Sequence, residues 1–271
     1  MRATFLSSAF GLLVAGALLA GPAAAETLKV AGTGGAMPAI EQVAAEFLAA
    51  SGISIQAIPG LGSKGAIKAA ADGAIGVAIS ARLLNPEEVA LGLTAVPFAR
   101  TALVFVTSRP GPDDMKSTDL TGIFLSSNPK WPDGTPIRVI LRTTLDADTL
   151  ILEQLFPGMH EAVEAARLRP EIPVAPTDQD SADLAQSLAG SFVQAGLSQI
   201  ITEKRSLRFV SIDTIAPTLE NLVSGKYPYE KFFYLVYSAA SKPAAERLLE
   251  FLRSARGQEL LRSTGNLPVA G

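Results

Sequence analysis

Cysteine is absent from this 271-residue chain. No disulfide can staple it and no thiolate can hold a metal, so stability has to come from an ordinary apolar core. Histidine occurs once, at His160. One histidine without cysteine makes neither a zinc site nor a nucleophile–base pair, so no metal, cofactor or catalytic residue is expected. His160 follows Phe156-Pro157-Gly158 at a helix start and is expected on the solvated surface. Aromatic residues make up only 6% of the chain, too few for an aromatic-lined sugar or nucleobase platform. The formal net charge of −3 leaves no basic surplus to neutralise nucleic-acid phosphates. No Lys/Arg cluster marks a membrane surface either. Enzyme signatures are also missing. A G-x-S-x-G elbow centred on Ser63 fails at Leu61, and the P-loop spacing does not occur.

Long apolar runs are lacking too, with one exception at the start. Arg2 precedes an apolar stretch from Ala9 to Ala20, followed by Gly21-Pro22 and then Ala23-Ala24-Ala25 before Glu26. That order is a secretory signal peptide over residues 1–25 with a small-x-small cleavage site. The run falls well short of the roughly 20 apolar residues needed to span a bilayer. With no cysteine to carry a lipid, the expectation is a freely diffusing, monomeric periplasmic protein.

The remaining sequence alternates strand-like and helix-like stretches. Thr27–Ala31 is a short strand entering the glycine loop Gly32-Thr33-Gly34-Gly35. Pro38 opens a helix over 39–50, with Ile40, Val43, Ala44 and Phe47 on one face. Ile53–Ile58 is a second strand, and Gly60-Leu61-Gly62-Ser63-Lys64-Gly65 is a second glycine loop opening a helix. Ile75–Ile79 reads as a buried strand, and Asn85-Pro86-Glu87-Glu88 as a helix start. Further strands are expected at Ala102–Thr107, Ile137–Leu141, Leu207–Ile212 and Phe232–Tyr237. Helices are expected at Leu150–Phe156, His160–Leu168, Ser181–Leu188 and from Pro243 onward, and Gly190–Gly196 reads as a loop. Arg109–Asp114 is a surface turn and the best single break in the chain. This rhythm predicts an α/β fold with a mainly parallel sheet.

Three loops and the tail, taken together, resemble phosphate-binding proteins of ABC importers. Val30–Pro38 looks like their opening ligand loop, and Gly60–Lys68 like the second. Ile75–Glu88 is similar to the third, where a strand ends in a small polar pair before a Pro-Glu-Glu helix start. Ile215–Pro228 and the run FFYLVY match the family's return strand and docking segment. The similarity spans nearly all of 27–265. The resemblance implies a two-lobed type II periplasmic binding protein fold, with mainly parallel sheets and two crossing strands. Lobe one is expected at 27–97 plus 211–271, and lobe two at 98–210. It also implies a protein that hands a captured small oxyanion to an ABC permease or other membrane partner and performs no chemistry. Thr33, Gly34, Gly35, Ser63, Ser80, Arg142, Thr143, Thr144 and Asp146 are the candidate ligand-binding residues. Physics supports anion capture here: a glycine turn feeding a helix start presents free N–H groups, with the positive end of the dipole behind them. Glycines also simply permit tight strand-to-helix turns, and both readings stay open.

The chain departs from the family at its strongest feature, an Arg followed by Ser-Gly-Thr at a helix start. Arg142 is present, but the Ser-Gly-Thr slot reads Asp146-Ala147-Asp148. An Asp carboxylate caps the helix itself and repels an anion. Two like charges ~4 Å apart cost on the order of 4 kcal/mol at an effective dielectric near 20. Ala81 stands where phosphate binders commonly place an acidic acceptor, and the first loop's hydroxyl positions fall on Gly34 to Ala36. Three outcomes are open: the Asp residues cap and leave Arg142, Thr143, Thr144 and Ser63 to an oxyanion; they pair with a cationic ligand; or the cleft is degenerate and the protein acts as a non-transport sensing or interaction protein. Arg82 and Arg100 lie just after strands, where cleft residues sit, and either bind an anion or make surface ion pairs. Trp131 is expected to anchor a loop, and Tyr227 and Tyr229 to pack beside the crossing strands or contact a permease.

Overall fold

The computed structural model describes residues 26–111 and 113–269, and the expected signal peptide lies outside the described residues. The first half begins with β1 (Glu26–Gly32), α1 (Met37–Ser51), β2 (Ile53–Ile58), α2 (Gly62–Ala71), β3 (Val77–Ser80) and α3 (Pro86–Ala90). In α1, Pro38 fills the first turn, where its missing N–H costs nothing. Gly52 ends the helix in the left-handed region at φ 74°. The helix buries Met37, Ile40, Val43 and Phe47, each contributing roughly 1.5–3 kcal/mol when fully removed from water. Gly60, in the turn before α2, and Gly62, its first residue, take φ of 80° and 60°, which explains the glycine spacing there.

Strand β4 (Thr94–Thr107) is longer than expected and runs from one half of the molecule into the other. Beyond it come β5 (Asp113–Met115), α4 (Leu120–Leu125), β6 (Arg138–Val139), β7 (Leu141–Arg142), α5 (Ala147–Leu155) and α6 (Met159–Arg167). These are followed by β8 (Val174–Ala175), α7 (Asp178–Ser187), β9 (Ser191–Gly196), α8 (Leu197–Thr202), β10 (Arg208–Ile212) and α9 (Leu219–Val223). The chain then returns through β11 (Glu230–Tyr237) and closes with α10 (Lys242–Arg253), α11 (Ala255–Ser263) and β12 (Leu267–Pro268). No helix among the described residues is long and apolar enough to cross a membrane.

The main sheet runs β2-β1-β3-β11-β4-β10-β5. The β2-β1-β3 edge is parallel, as are β10 with β5 and β6 with β9. The two long strands, β4 and β11, run antiparallel to each other and join the halves. Three apolar clusters result among the described residues. The first gathers Val30, Ile40, Phe47, Phe233 and Leu248; the second gathers Phe105, Phe124, Trp131, Phe156 and Phe192; a smaller third gathers Ile67, Ile75, Leu93 and Val236. In the second, Phe105 and Phe192 stack at 4.8 Å. Trp131 is buried there and donates its indole N–H to the Gly190 carbonyl at 3.3 Å, so it does anchor a loop.

Two local expectations are corrected. Gly190–Gly196 is mostly strand: Ser191–Gly196 is buried at every position between β4 and β6. Its glycine and polar content hid a strand covered on both faces. The surface turn after Arg109 stops at Asp113, where β5 begins. Strand β10 pairs with the far end of β4 and with β5, so residue 211 lies inside an element of the second half. The Leu103 N–H donates to the Tyr229 carbonyl at 2.9 Å just before β11. On that pairing we place the returning crossover at Tyr229–Glu230.

Candidate functional site

Loops at the ends of β1, β3, β7 and β8 meet in the gap between the two halves, as cleft residues do in open α/β sheets. From the first half come Thr33, Gly34 and Gly35, the start of α2, and Lys231 on β11. From the second come Arg142 at the end of β7, Asp146 and Asp148 at the start of α5, and Asp178 and Gln179 at the start of α7.

Arg142 is 3% exposed. Its guanidinium donates to the Ala175 carbonyl at 3.0 Å, to Asp146 Oδ2 at 2.7 Å and to Asp178 Oδ1 at 3.4 Å. Its Nε has no partner among the described residues. Burial alone would lower its pKa, but the carboxylates of Asp178, Asp146 and Asp148 outweigh this and raise it. Asp146 caps α5, accepting the Asp148 N–H at 3.1 Å. Burial, then the charges of Asp148 and Asp178, push the Asp146 carboxyl up to about 6, against the opposing pull of Arg142 and Lys231. Lys231 is fully buried in a strand of apolar residues and pairs with Asp148. Burial opposes its charge, yet Asp148 and Asp178 leave its pKa raised.

The Asp residues of the altered slot therefore meet the protein's own cations. They neither point outward as plain caps nor wait for a cationic ligand. Asp178 does more: its Oδ2 accepts the Gly35 N–H at 2.9 Å and the Thr33 hydroxyl at 3.4 Å. Gln179 donates to the Gly34 carbonyl at 3.1 Å, and the Ser198 hydroxyl donates to the Gly35 carbonyl at 3.0 Å. A Cβ at Gly34 would come within 2.7 Å of Asp178 Oδ2, so the first loop has to be glycine for the second half to close on it.

Beside this clasp lies a cavity of about 160 Å³ lined by Gly34, Gly60–Lys64, Arg142, Thr143, Leu145–Ala147 and Pro176–Gln179. Helix α2 enters it with no side-chain cap on its first amides. Of the candidate residues, Gly34, Ser63, Arg142, Thr143 and Asp146 line the cavity, while Thr33 and Gly35 lie just behind it against Asp178. The Ser63 hydroxyl accepts the Ala81 N–H at 3.0 Å, tying α2 to the end of β3. Ser80 is fully buried and turned back on the backbone of Arg82, and neither Ser80 nor Thr144 lines the cavity. Arg82 and Arg100 form ion pairs with Glu88 and Glu230. His160 is exposed beside Glu153.

Lys64, Asp178, Gln179 and Lys231 were not among the candidates. Lys64 sits inside the quoted glycine loop, and Thr177-Asp178-Gln179-Asp180 after Pro176 is a capped helix start rich in acid. Lys231 directly precedes FFYLVY, and a lysine leading an apolar strand signals a buried partner.

A family model described as the PBP superfamily domain matches residues 20–256. The chain belongs to the PBP superfamily. Comparison with curated protein sequences gives no match. Among solved structures, this PBP-superfamily chain is similar to a Clostridium perfringens protein described as a phosphate ABC transporter substrate-binding protein, solved with phosphate bound. Identity is 19% over 90% of this chain and 100% of that one, with a TM-score of 0.79. It is also similar to an ABC-type phosphate transport receptor of Vibrio cholerae, at 16% identity over 89% and 99% of the two chains and a TM-score of 0.63. The periplasmic molybdate-binding protein of Azotobacter vinelandii matches at 18% over 90% and 99%, with a TM-score of 0.61. These likenesses establish the two-lobed periplasmic-binding-protein fold for this member of the superfamily.

Proposed function

We propose that the chain is a solute-binding protein that works outside the cytoplasm, holding a small oxyanion for an ABC importer and catalysing nothing. One observation carries this: a 160 Å³ cavity in which the start of α2, with no side-chain cap, and Lys64 lie across from a buried Arg142 whose Nε has no partner among the described residues. Backbone amides at a helix start and a buried guanidinium are complementary to an oxyanion. The names of the similar phosphate and molybdate binders support the same class of ligand. Within this reading Gly34, Ser63, Arg142, Thr143 and Asp146 contact the ligand, and Thr33 and Gly35 do so once Asp178 swings away.

A second reading has its own observation. Asp178 already occupies the donors of the first loop, and Asp146, Asp148 and Asp178 match Arg142, Lys231 and Lys64 in number, so the cleft carries no surplus positive charge. A cleft satisfied by its own side chains suits a sensing or interaction protein. Isothermal titration with phosphate, molybdate and sulfate separates the two. Saturable binding of any of them, lost in Arg142→Ala, supports the first reading. Silence from all three, in wild type and in Asp178→Asn alike, supports the second.

A further inference from the structure

A second and larger cavity, about 650 Å³, opens between the halves on the other side of Leu145. Its walls come from the segment after β3 and from β11 on one side, and from α5 on the other. Leu83, Leu145, Ile151, Leu155, Phe232 and Tyr234 are among its apolar lining. Leu83 is 65% exposed and Leu145 57%, unusually open for leucines facing a cleft. The volume lies within the range of sites that enclose organic ligands, about 300–1,000 Å³, and far exceeds what a bare oxyanion fills.

The charges in this cavity are almost all spent. Arg82 is paired with Glu88, Lys231 with Asp148, and Glu230 with Arg100. Lys64 differs: it makes no salt bridge among the described residues, and it lines both cavities, as Leu145 does. The two spaces therefore meet at a cation and a leucine, with anion donors on one side and an apolar hollow on the other.

We infer that the ligand is an organic oxyanion, such as an aryl phosphonate or phosphate monoester. Its anionic head lies against Lys64, the start of α2 and Arg142, and its apolar substituent fills the larger cavity. This rests on the oxyanion-binding reading given above and specifies what the oxyanion carries. The substituent removes Leu83 and Leu145 from water, which a bare oxyanion leaves wet.

Titration calorimetry of the mature chain with inorganic phosphate, methylphosphonate and phenylphosphonate tests this. Phenylphosphonate is expected to bind at least tenfold more tightly than either of the others. Leu83→Glu, at an exposed position outside the smaller cavity, should weaken phenylphosphonate at least tenfold and leave phosphate within twofold. Phenylphosphonate binding no tighter than methylphosphonate, or unaffected by Leu83→Glu, would overturn the inference while leaving oxyanion binding in place. Binding of none of the three would overturn both.

Discussion

Asp178 holds the Gly35 amide as a bound anion would: its Oδ2 takes the Gly35 N–H at 2.9 Å while its Oδ1 lies 3.4 Å from the Arg142 guanidinium. One carboxylate thus bridges the two halves of the molecule and uses donors from both. An incoming oxyanion has to compete with it. Asp178→Asn removes the negative charge and keeps the shape. Oxyanion affinity is expected to rise at least tenfold, equivalent to about 1.4 kcal/mol, well inside the few kcal/mol that a like charge at contact distance costs. Calorimetry on the variant and wild type, at matched ionic strength, measures it directly. An unchanged or weaker affinity would show that Asp178 is not the competitor.

Lys231 and Asp148 form a pair with almost no access to water, their side chains 0% and 3% exposed. Removing either partner leaves a buried charge uncompensated, which costs roughly 3–5 kcal/mol. Lys231→Met and Asp148→Asn should each lower the denaturant midpoint sharply. The double variant should recover much of the loss, giving a large coupling energy in a double-mutant cycle. For the same reason, rebuilding the family's Ser-Gly-Thr slot by replacing Asp148 with Thr should destabilise the fold unless Lys231 is changed with it. Independent, additive losses from the two single changes would contradict the pairing.

Periodicity and turn chemistry made the fold legible wherever a strand or helix had one wet face, as in α1 with Pro38 at its start and Gly52 at its end. They failed at Ser191–Gly196, because a strand covered on both faces shows no alternation and this one carries Ser, Gln and two small residues. The site was half legible for a related reason. Gly34, Ser63 and Arg142 sit in local patterns that resemble a known family, so their neighbourhood could be read along the chain. Asp178 and Lys231 act on residues more than 80 positions away, and no local pattern announces such a partner. The altered slot is a change of charge visible in the sequence itself. What the chain alone did not reveal was that Arg142 and Lys231 would answer that charge from inside the protein.

At Gly34 the first loop lies directly against the start of α7. The φ of Gly34 is not in the left-handed region, so its substitution is a matter of space alone. A methyl group there meets Gln179 and Asp178. Gly34→Ala should therefore prise α7 off the first loop and cost about 1–3 kcal/mol, as overpacking commonly does. The loss should shrink in a Gln179→Ala, Asp178→Ala background, where the space is free. Small-angle scattering is expected to show a larger radius of gyration for Gly34→Ala than for wild type. Equal loss in both backgrounds would mean that the contact with α7 is not the cause.

Protonation of Asp146 ties the clasp to pH. Its carboxyl is pushed up to about 6 in the folded protein from an ordinary value of 3.8, by burial first and by Asp148 and Asp178 next. The folded state therefore holds this proton more tightly than the unfolded chain does. Where the folded state binds more protons, stability falls as pH rises. The contribution of Asp146 is thus most favourable below about pH 4 and declines through the window from about 4 to about 6, by on the order of 3 kcal/mol in all. Asp146→Asn cannot titrate, so its stability should vary less over that window. The same proton removes one negative charge from the wall of the 160 Å³ cavity, so oxyanion affinity should strengthen as pH drops below 6. Urea melts and titrations at pH 5, 6 and 7, on wild type and Asp146→Asn, measure both effects. Parallel pH profiles for the two proteins would remove Asp146 as their source.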